Sequence, residues 1–150
     1  MNTVHTLQEY VDALRDAGIL TGCTASEALL GRGVECLTYD TRTLRENALF
    51  ICKGAHFKEE YLRDALSRGA FAYVAEQQHD VDAPCILVSD IRYSLVVLGQ
   101  LFFDHVTDKL TSVGITGTKG KSTTAYYVRY ILNDWLRAEN KPECAILSSI

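Results

Sequence analysis

The sequence predicts an α/β protein in two blocks: an α/β domain over residues 1–106, then the first βαβ portion of a second domain over residues 107–150. Three observations carry this reading. Short apolar runs alternate with stripes of helical period. A polar bridge at residues 104–109 interrupts the pattern, which then restarts. A glycine-rich turn stands between a β-branched run and a long amphipathic segment.

The elements follow in order. Leu7, Val11 and Leu14 recur at helical spacing after Thr6, an N-cap residue, and Gly18 closes that helix. Residues 34–39 and 48–53 read as short strands between turns. Residues 58–68 read as a helix with Tyr61, Leu62, Ala65 and Leu66 inward and Gly69 ending it. Residues 71–75 and 86–88 are further strands, separated by the polar stretch 76–82 and Pro84. Ile91, Leu95, Leu98 and Phe102 mark one face of an apolar helix that runs to about His105. Beyond the bridge, residues 110–116 form a β-branched strand. Ala125, Val128, Ile131, Leu132 and Trp135 then make the buried stripe of a helix, and residues 143–150 return as a strand. A βαβ piece of roughly 40 residues leaves its sheet uncovered, so the chain is expected to be part of a longer protein.

Composition excludes several classes. A chain of 150 residues that is 47% hydrophobic and 23% charged is ordinary globular material, neither a disordered tail nor a fibrous repeat. Fifteen Lys and Arg against nineteen Asp and Glu leave a net charge of −4, which argues against affinity for nucleic-acid phosphates. The apolar run at 95–103 is broken by Gly99 and Gln100 and is too short to cross a bilayer, so no membrane insertion is expected. Glu9 and Asp12 stand where a secretory signal would be basic, which points to the cytoplasm. Cys23, Cys36, Cys52, Cys85 and Cys144 have neither C-x-x-C spacing nor a nearby ligand histidine, and read as reduced structural thiols.

The strongest chemical signal is the run Gly114-Ile115-Thr116-Gly117-Thr118-Lys119-Gly120-Lys121-Ser122-Thr123. Gly117 and Gly120 let backbone N–H groups turn inward as an anion nest, and the helix beginning near Lys121 adds its positive end. Lys121 is the point charge for the β and γ phosphates of a nucleoside triphosphate, and the Ser122 hydroxyl is a ligand for Mg²⁺. Thr123 is a first-turn residue of lesser role. Lys119 is either a further phosphate contact or a solvated loop lysine. The spacing departs from a strict Walker A, because Ile115 holds the place of its first glycine. The competing reading is a plain strand-to-helix turn that merely needs glycine.

These residues resemble those of the Mur ligases, and within them the MurE type, the UDP-N-acetylmuramoyl-peptide synthetases. Thr116-Gly117-Thr118-Lys119-Gly120-Lys121-Ser122 resembles that family's T-G-T-N-G-K-T loop, with Lys119 in place of asparagine and Ser122 in place of threonine. Tyr39-Asp40-Thr41-Arg42 resembles its D-S-R turn. Leu49-Phe50-Ile51-Cys52-Lys53-Gly54 resembles its L-F-V-A-x-x-G strand, and Gly69-Ala70-Phe71-Ala72-Tyr73-Val74 its G-A-x-A-x-V run. The likeness covers the chain from about Leu7 onward.

The resemblance implies a first domain that binds a UDP-MurNAc-peptide and the opening of a central P-loop ATPase domain. Thr41 and Arg42 match the residues that contact the uridine diphosphate, with Gly54 and His56 in the neighbouring substrate loop. That loop is shorter than the family's usual one. His56 either contacts the base or sits in solvent, and Asp40-Thr41-Arg42 also reads as a simple Asx turn with an exposed arginine. The implied reaction is amide-bond formation: ATP phosphorylates the carboxylate of UDP-MurNAc-L-Ala-D-Glu, and the amine of a diamino acid displaces phosphate from the acyl phosphate. Gly117, Thr118, Lys119, Gly120, Lys121, Ser122 and Thr123 would hold ATP, with Lys121 catalytic and Ser122 on the metal. The remaining sites belong to the rest of the ligase chain, so these 150 residues alone are expected to be inactive.

The rivals are another P-loop NTPase, another amide ligase of the superfamily such as a folylpolyglutamate synthetase, and a stand-alone UDP-sugar or nucleotide-binding module. The first predicts no preference for UDP-muramoyl ligands. The second leaves the first hundred residues without a role. The third predicts binding without ligation.

Overall fold

Thr6 starts the first helix through its hydroxyl. Its Oγ1 accepts the Glu9 N–H at 3.4 Å while the Glu9 carboxylate takes the Thr6 N–H at 2.7 Å, a reciprocal capping box for α1 (Leu7–Asp16). Gly18, at φ 72°, turns the chain into β1 (Leu20–Cys23), and a single helical turn follows as α2 (Glu27–Leu30). Next come β2 (Cys36–Thr38), β3 (Ala48–Ile51), α3 (Glu59–Ser67), β4 (Ala70–Ala75), β5 (Cys85–Val88) and α4 (Ile91–Phe102). After these comes α5 (Lys121–Ala138). The computed structural model describes residues 3–54 and 57–147. The chain divides into two units, Met1–Leu110 and Thr111–Ile150.

In the first unit five strands form one sheet in the order β1-β5-β4-β3-β2. β2, β3, β4 and β5 run parallel, and β1 is antiparallel to β5. All four parallel strands therefore end on one edge, at Thr38, Ile51, Ala75 and Val88.

Alternation along the strands builds two cores. Leu49, Ile51, Val74, Ile86 and Val88 pack with Leu7, Val11 and Leu14 of α1 and Leu98 of α4 on one face. Ala48, Phe50, Tyr73, Ala75 and Cys85 pack with Leu62 and Ala65 of α3 on the other. The register slips between Ala48 and Leu49, which pair with Ala70 and Ala72. Phe71 is the extra residue, and it turns to the same face as Ala72.

Several expectations are corrected. Tyr61 is 46% exposed, because it sits about 100° round α3 from Leu62 and the contact face is only as wide as Leu62, Ala65 and the half-buried Leu66. β1 and α2 were not anticipated: Leu20-Thr21-Gly22-Cys23 is a weak strand sequence that becomes a strand by pairing with β5. α4 stops at Phe102, because Asp104 and His105 take φ of 50° and 51°. The cysteines, by contrast, are as expected: all five are free thiols, with Cys36, Cys52 and Cys85 buried.

In the second unit the glycine-rich turn enters α5 as expected. The expected strands at 110–116 and 143–147 carry no sheet pairing among the described residues, and residues 148–150 lie outside them. An extended segment becomes a strand only with a hydrogen-bonding neighbour. The expected stripe is also not buried: Ala125 and Val128 are half-buried, whereas Ile131, Leu132 and Trp135 are exposed. Asn133 is the residue that α5 buries. Its Oδ1 accepts the Cys144 N–H at 2.7 Å and its Nδ2 donates to Glu143 at 3.2 Å, so the returning segment lies along the helix. Asn140, at φ 53°, ends the helix in a Schellman turn, with the Lys141 N–H on the Leu136 carbonyl at 2.9 Å.

Candidate functional site

Two groups of site residues stand apart in the chain, one in each unit. The first gathers where the parallel strands end, the edge at which open α/β sheets bind ligands. β2 leads into a 3₁₀ turn, Thr41–Thr43, capped by Asp40. The Asp40 carboxylate accepts the Arg42 N–H at 2.9 Å, an Asx turn, and also takes the Arg42 guanidinium. The Asp40 N–H donates to Thr38 Oγ1 at 3.0 Å, and the Thr38 and Thr43 hydroxyls share a hydrogen bond of 2.8 Å. Hydrogen bonds from the Arg42 side chain, then from its backbone, hold the Asp40 carboxyl down to about 2. The Arg42 side chain itself is 87% exposed.

Thr41 heads this turn. Its hydroxyl has no hydrogen-bond partner among the described residues. The parallel register Thr38↔Phe50 brings the exit of β3 alongside. There Gly54 takes φ 123° with open space at its Cβ position. Thr41, Arg42 and Gly54 are thus on one sheet edge. His56 lies outside the described residues.

A cleft of about 330 Å³ opens beside them, between Leu37, Tyr39 and Ile51 at the strand ends and Leu95, Gly99 and Phe103 of the α4 region. That is the lower end of the usual range for small-molecule sites, roughly 300–1,000 Å³. Sequence reasoning missed Tyr39 and Lys53: the Lys53 ammonium stands over the Tyr39 ring, 5.0 Å from its centroid. The signal was present as a lysine directly before the turn glycine at a strand end.

The second group is the loop before α5. Gly117 has φ 152° and Gly120 φ 76°, both in the region that favours glycine. Gly120 is the N-cap of α5 and brings no capping side chain. The Thr124 N–H bonds to the Gly120 carbonyl at 2.9 Å, while helix geometry leaves the earlier first-turn N–H groups without intrahelical acceptors. A Cβ built on Gly117 would lie 3.9 Å from Lys121 Cγ and 3.6 Å from the Lys119 carbonyl, so the base of the lysine side chain lies close to the Gly117 bend. Thr118, Lys119 and Thr123 are exposed, and Ser122 is half-buried on the first turn. Two glycines with positive φ, the N-terminal end of an 18-residue helix and a lysine at its first position suit an anion.

No known family description matches the chain. It is 44% identical over 111 residues, 73% of its length, to the UDP-N-acetylmuramoyl-L-alanyl-D-glutamate--L-lysine ligase of Enterococcus faecalis, of which the match covers 22%. The corresponding ligase of Streptococcus mutans is 41% identical over 101 residues, 67% of this chain and 21% of the relative. The UDP-N-acetylmuramyl-tripeptide synthetase of Ligilactobacillus salivarius is 43% identical over 100 residues, 65% of this chain and 19% of the relative. The chain spans about a fifth of the length of these relatives.

Among solved structures, the UDP-N-acetylmuramoylalanyl-D-glutamyl-2,6-diaminopimelate--D-alanyl-D-alanyl ligase of Acinetobacter baumannii matches with a TM-score of 0.65 at 20% identity, over 89% of this chain and 29% of that one. That likeness is one of fold.

Proposed function

We propose that the chain forms the uridylate-binding domain and the ATP phosphate loop of an ADP-forming Mur ligase, which adds L-lysine as the third residue to UDP-N-acetylmuramoyl-L-alanyl-D-glutamate. The observation that carries this is the 44% identity over 111 residues to a ligase of that name. The fold likeness to a further muramoyl-peptide ligase supports it. The cytoplasm, which holds ATP and keeps thiols reduced, is the compartment of this reaction. The parts not found here, including the amino-acid site, are assigned to the remainder of the ligase.

The residues present fit the two groups this reaction needs. Gly117, Thr118, Lys119, Gly120 and Thr123 would offer their backbone N–H groups to the phosphates, and Lys121 would add a positive charge. The Ser122 hydroxyl is the residue on this chain that would hold Mg²⁺. When bound, ATP supplies the phosphoryl group that activates the substrate carboxylate, and the metal draws charge from its oxygens. The protein's share would be electrostatic: Lys121 and the N-terminal end of α5 would stabilise the negative charge that grows on the transferring group. At the sheet edge, the Thr41 hydroxyl is available to the nucleotide, Arg42 flanks it, and Gly54 allows close backbone approach.

Titration of the ¹⁵N-labelled chain tests the reading. UDP-MurNAc-L-Ala-D-Glu is expected to shift the amides of 38–43 and 51–54, and Mg-ATP those of 116–123. Shifts confined to other residues would overturn it.

A further inference from the structure

Lys53 leaves β3 two residues past Ile51, its N–H held in a tight turn by the Ile51 carbonyl at 2.9 Å. Its side chain is half-buried. Among the described residues, no hydrogen bond or ion pair reaches the Lys53 ammonium. It rests instead on the face of Tyr39, 5.0 Å from the ring centroid. A cation–π contact orients an ammonium without neutralising it, so its N–H donors stay available to an anion.

The parallel pairing of β2 with β3 explains the placement. With Thr38 opposite Phe50, β2 and β3 end side by side, and Tyr39 and Lys53 follow directly after them. Of the two cations that follow these strand ends, Arg42 is neutralised by Asp40 and is 87% exposed, whereas Lys53 rests on Tyr39. The half-exposed ring of Tyr39 also forms a wall of the cleft at this edge.

We infer that Lys53 and Tyr39 act together as the diphosphate clamp of the nucleotide-linked substrate. The Lys53 ammonium binds a diphosphate oxygen as a point charge, and Tyr39 sets its position. This rests on the uridylate reading above and adds to it the residue pair that distinguishes a nucleoside diphosphate from a nucleoside.

Calorimetric titration of the 150-residue chain with UDP and with uridine tests the clamp. Lys53→Met is expected to weaken UDP binding about tenfold while uridine binding stays within about twofold, since a charge-assisted contact is lost and the base contacts are kept. Lys53→Arg is expected to retain most of the UDP affinity. Tyr39→Leu is expected to lose UDP affinity selectively, and Tyr39→Phe to keep it. A native ¹⁵N spectrum for each variant excludes unfolding as the cause. The clamp is overturned if Lys53→Met binds UDP like the unsubstituted chain, or loses uridine to the same extent. If the unsubstituted chain binds neither ligand, the uridylate reading fails and takes the clamp with it.

Discussion

The Asp40 carboxylate and the Arg42 guanidinium form a two-pronged pair, Oδ2 to Nη2 at 2.6 Å and Oδ1 to Nε at 3.0 Å, while Oδ1 also accepts the Arg42 N–H at 2.9 Å. One side chain therefore closes the turn and neutralises the arginine. Exposed pairs of this kind contribute little to stability. What this one does is geometric: it holds the turn that presents the Thr41 hydroxyl.

The pair sets a pH response. Arg42 holds the Asp40 carboxyl down to about 2 from an ordinary 3.8, through its side-chain hydrogen bonds first and its backbone N–H second. A carboxyl depressed on folding contributes above its ordinary value, and the contribution is lost as pH falls toward the depressed one. An NMR titration of the Asp40 carboxyl is expected to show a midpoint near 2, with the Arg42 amide following it. A midpoint near 3.8 would mean that the pair does not persist in solution.

His5 responds in the opposite sense. Its Nδ1 lies 3.0 Å from Glu9 and its Nε2 2.9 Å from Asp104, and only the imidazolium donates to both. The Glu9 hydrogen bond, foremost, raises His5 above 6.5, while Glu9 is lowered from 4.5 by the Thr6 N–H first and His5 second, and Asp104 from 3.8 by the Thr3 N–H first and His5 second. The His5 contribution is complete below 6.5 and is lost as pH rises through the raised value; those of the carboxylates are complete above their ordinary values. The clip between the start of α1 and the end of α4 is thus strongest between 4.5 and 6.5. The urea midpoint of His5→Gln is expected to fall furthest below that of the parent in this window, and the gap to shrink above it. A gap independent of pH would exclude the ionic clip.

Gly69 is constrained twice. Its φ is 112°, and an added Cβ would meet Glu46 Cα at 3.0 Å and the Arg45 carbonyl at 3.4 Å. Gly69→Ala is expected to cost about 1–3 kcal/mol, because neither the backbone conformation nor the neighbouring backbone can yield cheaply. Chemical denaturation measures this, and a loss below about 0.5 kcal/mol would show that the turn relaxes.

Lys121 is exposed, and its Cγ lies close to the Gly117 bend. Lys121→Ala is expected to weaken Mg-ATP binding by at least about tenfold, the scale of a lost charge-assisted hydrogen bond, with little change in thermal midpoint. Unchanged ATP affinity would separate the bend from phosphate binding.

Much of this could be read in advance, and the reasons are local. Thr6, Glu9 and Gly18 carry the start and end of α1 in their own side chains and backbone freedom. Gly117, Gly120 and Lys121 mark the bend in the same way, since φ preference and spacing are properties of a few adjacent residues. The alternation of Leu49 and Ile51 against Ala48 and Phe50 has the form of a strand buried on both faces. The Asx turn at Asp40 was one of two open readings of that motif, and its geometry is present without excluding a ligand.

What escaped that reading depends on partners distant in the chain. β1 is a strand because β5 lies beside it, and Tyr61 faces water because the sheet meets only one narrow side of α3. The exposed side of α5 had the spacing of a buried one, but burial requires a covering layer that periodicity cannot supply. Asn133, unremarkable in sequence, is buried through the segment that returns along its helix. Lys53 and Tyr39, fourteen positions apart in the chain, meet only because β2 and β3 pair in parallel. Helix ends and glycine bends are specified by neighbours in the chain, whereas strand pairing, burial and the company a lysine keeps arise from packing between segments far apart in sequence.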